Sequence, residues 1–359
     1  MTLPATVAVD VGGTKIRAGS VIDGRLAHVR SVPTPATSGA QAVLDTIAEV
    51  TAAVVAEASG SHGGESVWRI GIGAAGVIDP ATGTVVSATD SLPGWAGTDL
   101  VTELSARSGL PVRVVNDVHA HALGEAAAGA SRGTRNSLLV AAGTGIGGGF
   151  ITDGHLLTGR NSAAGHVGHV PSAAASGLAC PCGGTGHVEA IASGPAILNT
   201  YRRLVDASAE PGPSEPTSQG QSPESTTATP ADLPTSTPTS APNSVAGHEM
   251  AAPAPGNTRE LAAAASAGDE LALRAFDIGA RALGSALGGI SNILSPEVIV
   301  VGGGLAEMDE TWWAPLREAF AAELIPATSG TQLVKAELGQ DAALIGAASL
   351  WNAEQRETR

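Results

Sequence analysis

Shifted by 130 residues, the chain matches itself. Gly13, Thr14, Ile16, Gly19, Asp23, Gly24 and Leu26 fall on Gly143, Thr144, Ile146, Gly149, Asp153, Gly154 and Leu156, seven identities in the fourteen positions from 13 to 26. Both copies run in the same order. An apolar stretch (Thr6–Asp10, then Ser137–Ala142) enters a glycine turn, a second strand-like stretch follows, and an Asp-Gly pair closes a hairpin. A dinucleotide-binding βαβ unit needs a helix directly after its glycines, but Ile16–Ile22 continues as strand. Backbone amides and a Thr hydroxyl in such a turn can cradle phosphate; taken alone, either segment also reads as an ordinary Gly-rich hairpin. Repetition outranks local propensity. It predicts an α/β chain of two related domains, with both turns facing one nucleotide across a cleft.

The 359 residues suffice for two domains with separate cores. Aromatic residues make up 3%, so Ala, Val, Leu and Ile must build those cores. The net charge is −15, and Lys15 and Lys335 are the only lysines. That balance argues against nucleic acid as a partner, since phosphate contacts need cations. No basic segment followed by a long apolar run opens the chain, and no apolar run approaches 18 residues. Neither a secretory leader nor a membrane partner is expected. The two cysteines form no disulfide framework, which suits a cytoplasmic location.

Those cysteines sit one residue apart in Cys180-Pro-Cys182-Gly-Gly-Thr-Gly-His187-Val-Glu189, downstream of Gly165-His166-Val-Gly-His169. His169, Cys180, Cys182 and His187 make a full tetrahedral zinc set, with no position left for water. Such a site is structural rather than hydrolytic. The alternative is a pair of reduced thiols among loop histidines.

Between the copies, Gly39–Ala58 and Thr98–Ser108 have helical character, and Val67–Gly73 and Val112–Val115 read as strands. Val67–Gly73 leads into the turn Ala74-Ala75-Gly76, and Trp95 reads as a capped core residue. Val112–Val115 delivers Asn116-Asp117, and His119–Ala130 reads as a helix. A carboxylate at the end of such a strand can take a proton from an attacking hydroxyl, or can cap the following helix. From 207 to 257 the chain holds ten of its 22 prolines and no Lys or Arg, so it is expected to be a disordered Ser/Thr/Pro-rich insert. Arg259–Ala267 and Glu270–Ile293 read as helices; in the second, Gly279, Gly284, Gly288 and Gly289 are expected to allow close packing. Val298–Val301 then enters Gly302-Gly303-Gly304, either a nucleotide-contacting loop or a tight strand–helix turn. Ala342–Trp351 reads as a last helix.

Together these residues resemble the ROK sugar kinases, a branch of the actin/hexokinase-like fold, over nearly all the chain outside 207–257. Asp10-Val-Gly12-Gly13-Thr14-Lys15 resembles the first phosphate motif of that family. Ala142-Gly143-Thr144-Gly145 through Gly149, running on to Gly159-Arg160, resembles the second, and Val301-Gly302-Gly303-Gly304 the nucleoside-side loop. The resemblance implies a small N-terminal domain (1–117 plus 341–359) and a larger one (118–340) around a central cleft. It implies ATP and Mg2+ as cofactors, a sugar as substrate, and a homodimer or homotetramer. It makes Asp117 the general base and Asp10 a helper in placing Mg2+. Asn116, His166, His169, Glu189 and Gly76 fall at the sugar. His169, Cys180 and Cys182 fall on zinc ligands, with His187 where the family has a third Cys. Ser91 stands where many members carry a sugar-contacting Asn.

Many members have Gly-Glu-x-Gly-His where this chain has Gly165-His166-Val-Gly-His169. With Val188-Glu-Ala-Ile-Ala-Ser-Gly194, that pattern resembles bacterial N-acetylmannosamine kinases. A carboxylate at 166 would only accept hydrogen bonds, whereas an imidazole can also donate, here to an acyl oxygen. The expected activity is phosphorylation of the 6-hydroxyl of N-acetylmannosamine. Glucokinase is the nearest alternative, and a non-catalytic sugar-sensing protein the alternative of another class. A DNA-binding ROK repressor is disfavoured, because Asp10 leaves no room before it for a helix-turn-helix.

Overall fold

The computed structural model describes residues 3–61, 66–88, 92–209 and 254–352. Ser91 and most of the 207–257 insert lie outside them. The elements in chain order are β1 (Leu3–Val11), β2 (Lys15–Ile22), β3 (Arg25–Pro33), α1 (Ala40–Ser61), β4 (Ser66–Ala74), β5 (Val77–Asp79), β6 (Thr84–Ser87), α2 (Leu100–Ser108), β7 (Val112–Asn116) and α3 (Asp117–Ala128). The second half holds β8 (Ser137–Ala142), β9 (Ile146–Thr152), β10 (His155–Leu157), α4 (Glu189–Ala192), α5 (Gly194–Ala209), α6 (Thr258–Ser266), α7 (Glu270–Leu294), β11 (Val298–Gly302), α8 (Glu310–Glu323), β12 (Gln332–Lys335) and α9 (Asp341–Ser349).

The repeat becomes two sheets of one design. One has the order β3-β2-β1-β4-β7 and the other β10-β9-β8-β11-β12. In each, the first three strands in sequence form an antiparallel meander and the next two add in parallel. The glycine turns join equivalent strands. Val11 pairs with Ile16 around the first turn, and Ala142 with Ile146 around the second. Both Asp-Gly pairs have positive φ at both residues, 51° and 74° for Asp23-Gly24 and 50° and 80° for Asp153-Gly154. That is the backbone of a type I′ hairpin, which matches the twist of the strands it joins.

Separate cores fill the two halves. Around the first sheet, Val7, Val9, Ile16, Leu44, Ile47, Ile72 and Leu104 pack with the fully buried Trp95. The Trp95 indole donates to Ala75 O at 3.1 Å. Around the second, Leu138, Val140, Phe276, Leu283, Ile299 and Trp312 form the larger core. Expected close packing along α7 holds at three glycines: a side chain on Gly279 would meet Ile197, on Gly284 Leu316 O, and on Gly288 Phe320 O. Gly289 differs, because open space lies at its Cβ position. It faces away from α8 and has no role in that contact.

Helices α3 and α9 lie between the sheets. Ala122 of α3 packs with Leu139 and Ile151 of the second sheet, and Leu344 and Ala347 of α9 pack with Ala8 of the first. Where the helices cross, a Cβ on Gly346 would collide with Ala120 O, and one on Gly124 with Ala342 O. Two glycines therefore set how closely the halves approach. The insert is shorter than expected at its start, because α5 continues through Ala209. Its far edge also differs, since Asn257 is already the N-cap of α6 and accepts from Glu260 N.

Candidate active site and metal cluster

β7 ends in the parallel part of the first sheet, and its last residue begins the chemistry. The Asn116 Oδ1 accepts from Val118 N at 2.9 Å and from His119 N at 3.2 Å. Asn116 is therefore the cap of α3, which frees Asp117 from that task. Asn116 Nδ2 donates to Gly76 O at 2.8 Å and to Asp117 Oδ1 at 2.7 Å. The same oxygen of Asp117 accepts from Val118 N at 2.9 Å, so Oδ2 lies outside these bonds. Asn116, Asp117 and Gly76 are brought together as expected, but the Asn116 amide is engaged by protein on both its oxygen and its nitrogen.

Asp10, at the end of β1, belongs to the same cluster. Burial is the main cause that raises its carboxyl above the ordinary 3.8; His121 pulls it back and Asp117 pushes it further up. Two carboxylates near each other, one of them desolvated, suit a divalent cation with oxygen ligands. His121 was not singled out in the sequence. It stands one turn after Asp117 on α3, the spacing that puts i and i+4 on one helix face.

The second glycine turn opens onto a cavity of about 830 Å3. Gly143, Thr144 and Gly304 line it, together with Gly194, Thr258, Arg259, Ala262, Leu305 and Met308. Gly303 has φ 89°, and a Cβ there would collide with Ala142 O, so the Gly302–Gly304 loop lies directly on the Gly143–Gly145 turn. Gly194 N donates to Gly143 O at 2.8 Å, which ties the start of α5 to the same turn. The contributions of α5 and α6 went unread in the sequence, because nothing in Gly194–Pro195 or Thr258–Ser266 resembles a phosphate or nucleoside motif. Of the first turn, Lys15 reaches this cavity indirectly. Its Nζ donates to Gln340 Oε1 at 2.8 Å, and Gln340 is part of the lining. Among the described residues, Gly12, Gly13 and Thr14 lie outside the lining; Thr34 braces their turn by donating to Gly12 O at 2.7 Å.

All four expected zinc ligands converge. One ligand atom from each of His169, Cys180, Cys182 and His187 lies within 4.8 Å of the others. Cys180 Sγ is 3.7 Å from His169 Nδ1, and Cys182 Sγ is 3.2 Å from His187 Nδ1. A tetrahedral zinc with bonds of about 2.3 Å to sulfur and about 2.0 Å to nitrogen separates its ligand atoms by ~3.3–3.8 Å. The cluster therefore fits such an ion with small side-chain adjustment. Burial pushes the Cys180 thiol up to about 11, a cost that a coordinated cation removes by stabilising the thiolate.

Glu189 links this cluster to the second turn. It is buried at the start of α4, accepts from Ile146 N at 2.7 Å through Oε2, and has Oε1 3.9 Å from Cys180 Sγ. The structure thus places Glu189 between the Gly143–Gly145 turn and the cysteines. On the loop itself, Gly165 and Gly168 press against β9, since Cβ atoms there would collide with Gly148 O and Ile146 O. His166 is exposed, and its Nδ1 lies 2.8 Å from Ala163 O. A carbonyl only accepts, so Nδ1 is the donor in this contact and Nε2 lies outside it. The expectation from the sequence has this ring donate to an acyl oxygen; in the structure its Nδ1 meets Ala163 O.

The chain is similar to known proteins over nearly its whole length. The ROK family model matches residues 6–354. A glucokinase from Halalkalibacterium halodurans is 32% identical over 354 residues, spanning 98% of this chain and 95% of its own. An N-acetylmannosamine kinase from Citrobacter koseri is 30% identical, spanning 96% of this chain and 98% of its own. Among solved structures, a ROK family glucokinase from Streptomyces griseus, in complex with glucose and AMPPNP, is similar with a TM-score of 0.69 and 31% identity, covering 96% of this chain and 98% of that one. With the duplicated hexokinase-like sheets and the cleft motifs in place, the chain belongs to the ROK family and is one of its sugar kinases.

Proposed function

We propose that this kinase transfers the γ-phosphoryl group of ATP to the 6-hydroxyl of N-acetylmannosamine. The observation that carries the choice of sugar is the exposed His166, held by Ala163 O in a loop pressed onto β9. With Nδ1 donating to Ala163 O, Nε2 can accept from the N–H of an acetamido group. A carboxylate there would also accept, but its charge would be costly to desolvate beside an acetyl methyl. The discrimination thus rests on charge rather than on donor count. Glucokinase is the second reading, supported by glucokinases at 30–33% identity against 30% for the N-acetylmannosamine kinases.

ATP, when bound, supplies the phosphoryl group and the leaving group. The cavity beside Gly143, Thr144 and Gly304 has the size and the apolar wall (Ala262, Leu305, Met308) for its nucleoside. Amides of the Gly12–Thr14 and Gly143–Gly145 turns would meet the phosphates. Asp10 would help hold Mg2+, whose charge offsets the desolvation of this carboxylate. Asp117 would take the proton of the 6-hydroxyl as that oxygen attacks phosphorus. Asn116 keeps Asp117 and Gly76 in register. His169, Cys180, Cys182 and His187 would hold a structural zinc ion that fixes the loop carrying His166.

The test is product identity. Incubation with ATP, Mg2+ and N-acetylmannosamine, followed by phosphorus NMR, should show a 6-phosphate of that sugar accumulating with ADP. Product from glucose alone would replace this reading by the second.

A further inference from the structure

His119 has no part in the mechanism above, yet it is a buried imidazole two residues after Asp117. Burial is the main cause that holds it below the usual histidine range, so the ring is neutral at neutral pH. Its Nε2 lies 2.8 Å from Ala164 O, a carbonyl of the loop that leads into Gly165-His166. The acceptor is a carbonyl, so His119 is the donor. Gly149 lets α3 lie close on β9 at this point: a Cβ there would lie 2.7 Å from Ala122 Cβ and 3.4 Å from His119 Cα.

The loop is gripped from two directions. Gly165 and Gly168 seat it on β9, and His119 reaches it from the first turn of α3. The adjacent carbonyls of Ala163 and Ala164 divide the work. Ala163 O fixes the His166 tautomer, and Ala164 O receives the bond from α3. The helix that begins with Asp117 therefore also holds the segment whose histidine faces solvent beside it.

We propose that His119 is a positioning residue that sets the His166 loop against the Asp117 end of α3, and thereby sets affinity and selectivity for the sugar. This rests on the reading that the 165–169 loop contacts the sugar. A donor at the Nε2 position is the requirement, rather than an imidazole. Loss of that donor frees the Ala163–His166 segment to shift, while the nucleotide cavity, built from the Gly143 turn, α5, α6 and the Gly304 loop, keeps its lining.

The experiment compares His119→Phe, His119→Gln and His166→Ala in the full-length kinase, with whichever sugar the wild type uses best. Separate KM values for sugar and ATP and the selectivity between two sugars are measured. His119→Phe keeps volume and removes the donor; it should raise the sugar KM about tenfold and narrow selectivity, with the ATP KM within about twofold of wild type. His119→Gln keeps a donor and should hold the sugar KM within about threefold, which carries the test even if the Phe variant fails to fold. A raised sugar KM in His166→Ala with an unchanged one in His119→Phe overturns the proposal and leaves the loop reading intact. Unchanged values in both variants overturn the loop reading and the proposal with it. Equal rises in sugar and ATP KM for His119→Phe, or a Gln variant as impaired as the Phe variant, also overturn it.

Discussion

Asp117 starts a helix that its neighbour caps. The dipeptide alone left base and cap as competing readings, and the structure assigns the cap to Asn116. Asp117→Ala should therefore leave α3 folded and sugar binding largely intact while kcat falls by ~10²–10⁴. Titration calorimetry beside steady-state kinetics checks this; near-native turnover would remove Asp117 from the mechanism. Asp10 makes a prediction of the opposite kind for stability. Its folded pKa is raised, so the contribution to stability is fully present below the ordinary 3.8 and is lost as pH rises through the folded value. Asp10→Asn should melt higher than wild type at pH 7 yet lose activity, with the melting difference shrinking as pH falls through the raised folded value and no longer changing below the ordinary 3.8. His119 and His121 were unreadable at this scale. Their meaning comes from a carbonyl 45 residues away and from a carboxylate on β1, and no local pattern records either.

Hairpins were the most readable elements, because a glycine turn and an Asp-Gly pair dictate local backbone and recur in both halves. The convergence of His169, Cys180, Cys182 and His187 was readable as well, since two thiols and two imidazoles in that spacing match a metal-ligand set. Fresh protein prepared without chelators should carry about one zinc per chain, and Cys180→Ser should lose it together with sugar affinity. Elemental analysis that finds no metal would contradict the role given to the cluster. Less readable was the α3–α9 contact. Its surfaces are Ala and Gly, which carry weak periodicity, and its closeness depends on what is missing. Gly346→Ala should destabilise the fold by about 1–3 kcal/mol or more, because the added methyl meets the backbone of Ala120 rather than a yielding side chain. Denaturant titration checks this. Glu125 was missed for a similar reason. Its buried carboxylate accepts from Ala130 N at 2.7 Å and Leu338 N at 2.9 Å, tying the end of α3 to the approach of α9.

Across the whole molecule, duplication was the readable fact, and it dictated two sheets of equal order. How the halves meet followed from α3 and α9 and could not be read from the repeat. Among the described residues no helix is long and apolar enough to cross a membrane. The segment 210–253 lies between two helices, α5 and α6, that both line the cavity beside the Gly143 turn. Replacing residues 210–253 with a short Gly/Ser linker should leave activity and melting temperature nearly unchanged, because loop closure costs only about 0.6 kcal/mol per doubling of length. A large loss of activity would give the segment a role beyond connection. The proposed preference for an N-acylated hexosamine is decided by the ratio of kcat/KM for N-acetylmannosamine to that for glucose. The ratio should lie well above one and fall about tenfold or more in His166→Glu, equivalent to ~1.4 kcal/mol. A wild-type ratio below one, or a swap that lowers both sugars equally, would contradict it.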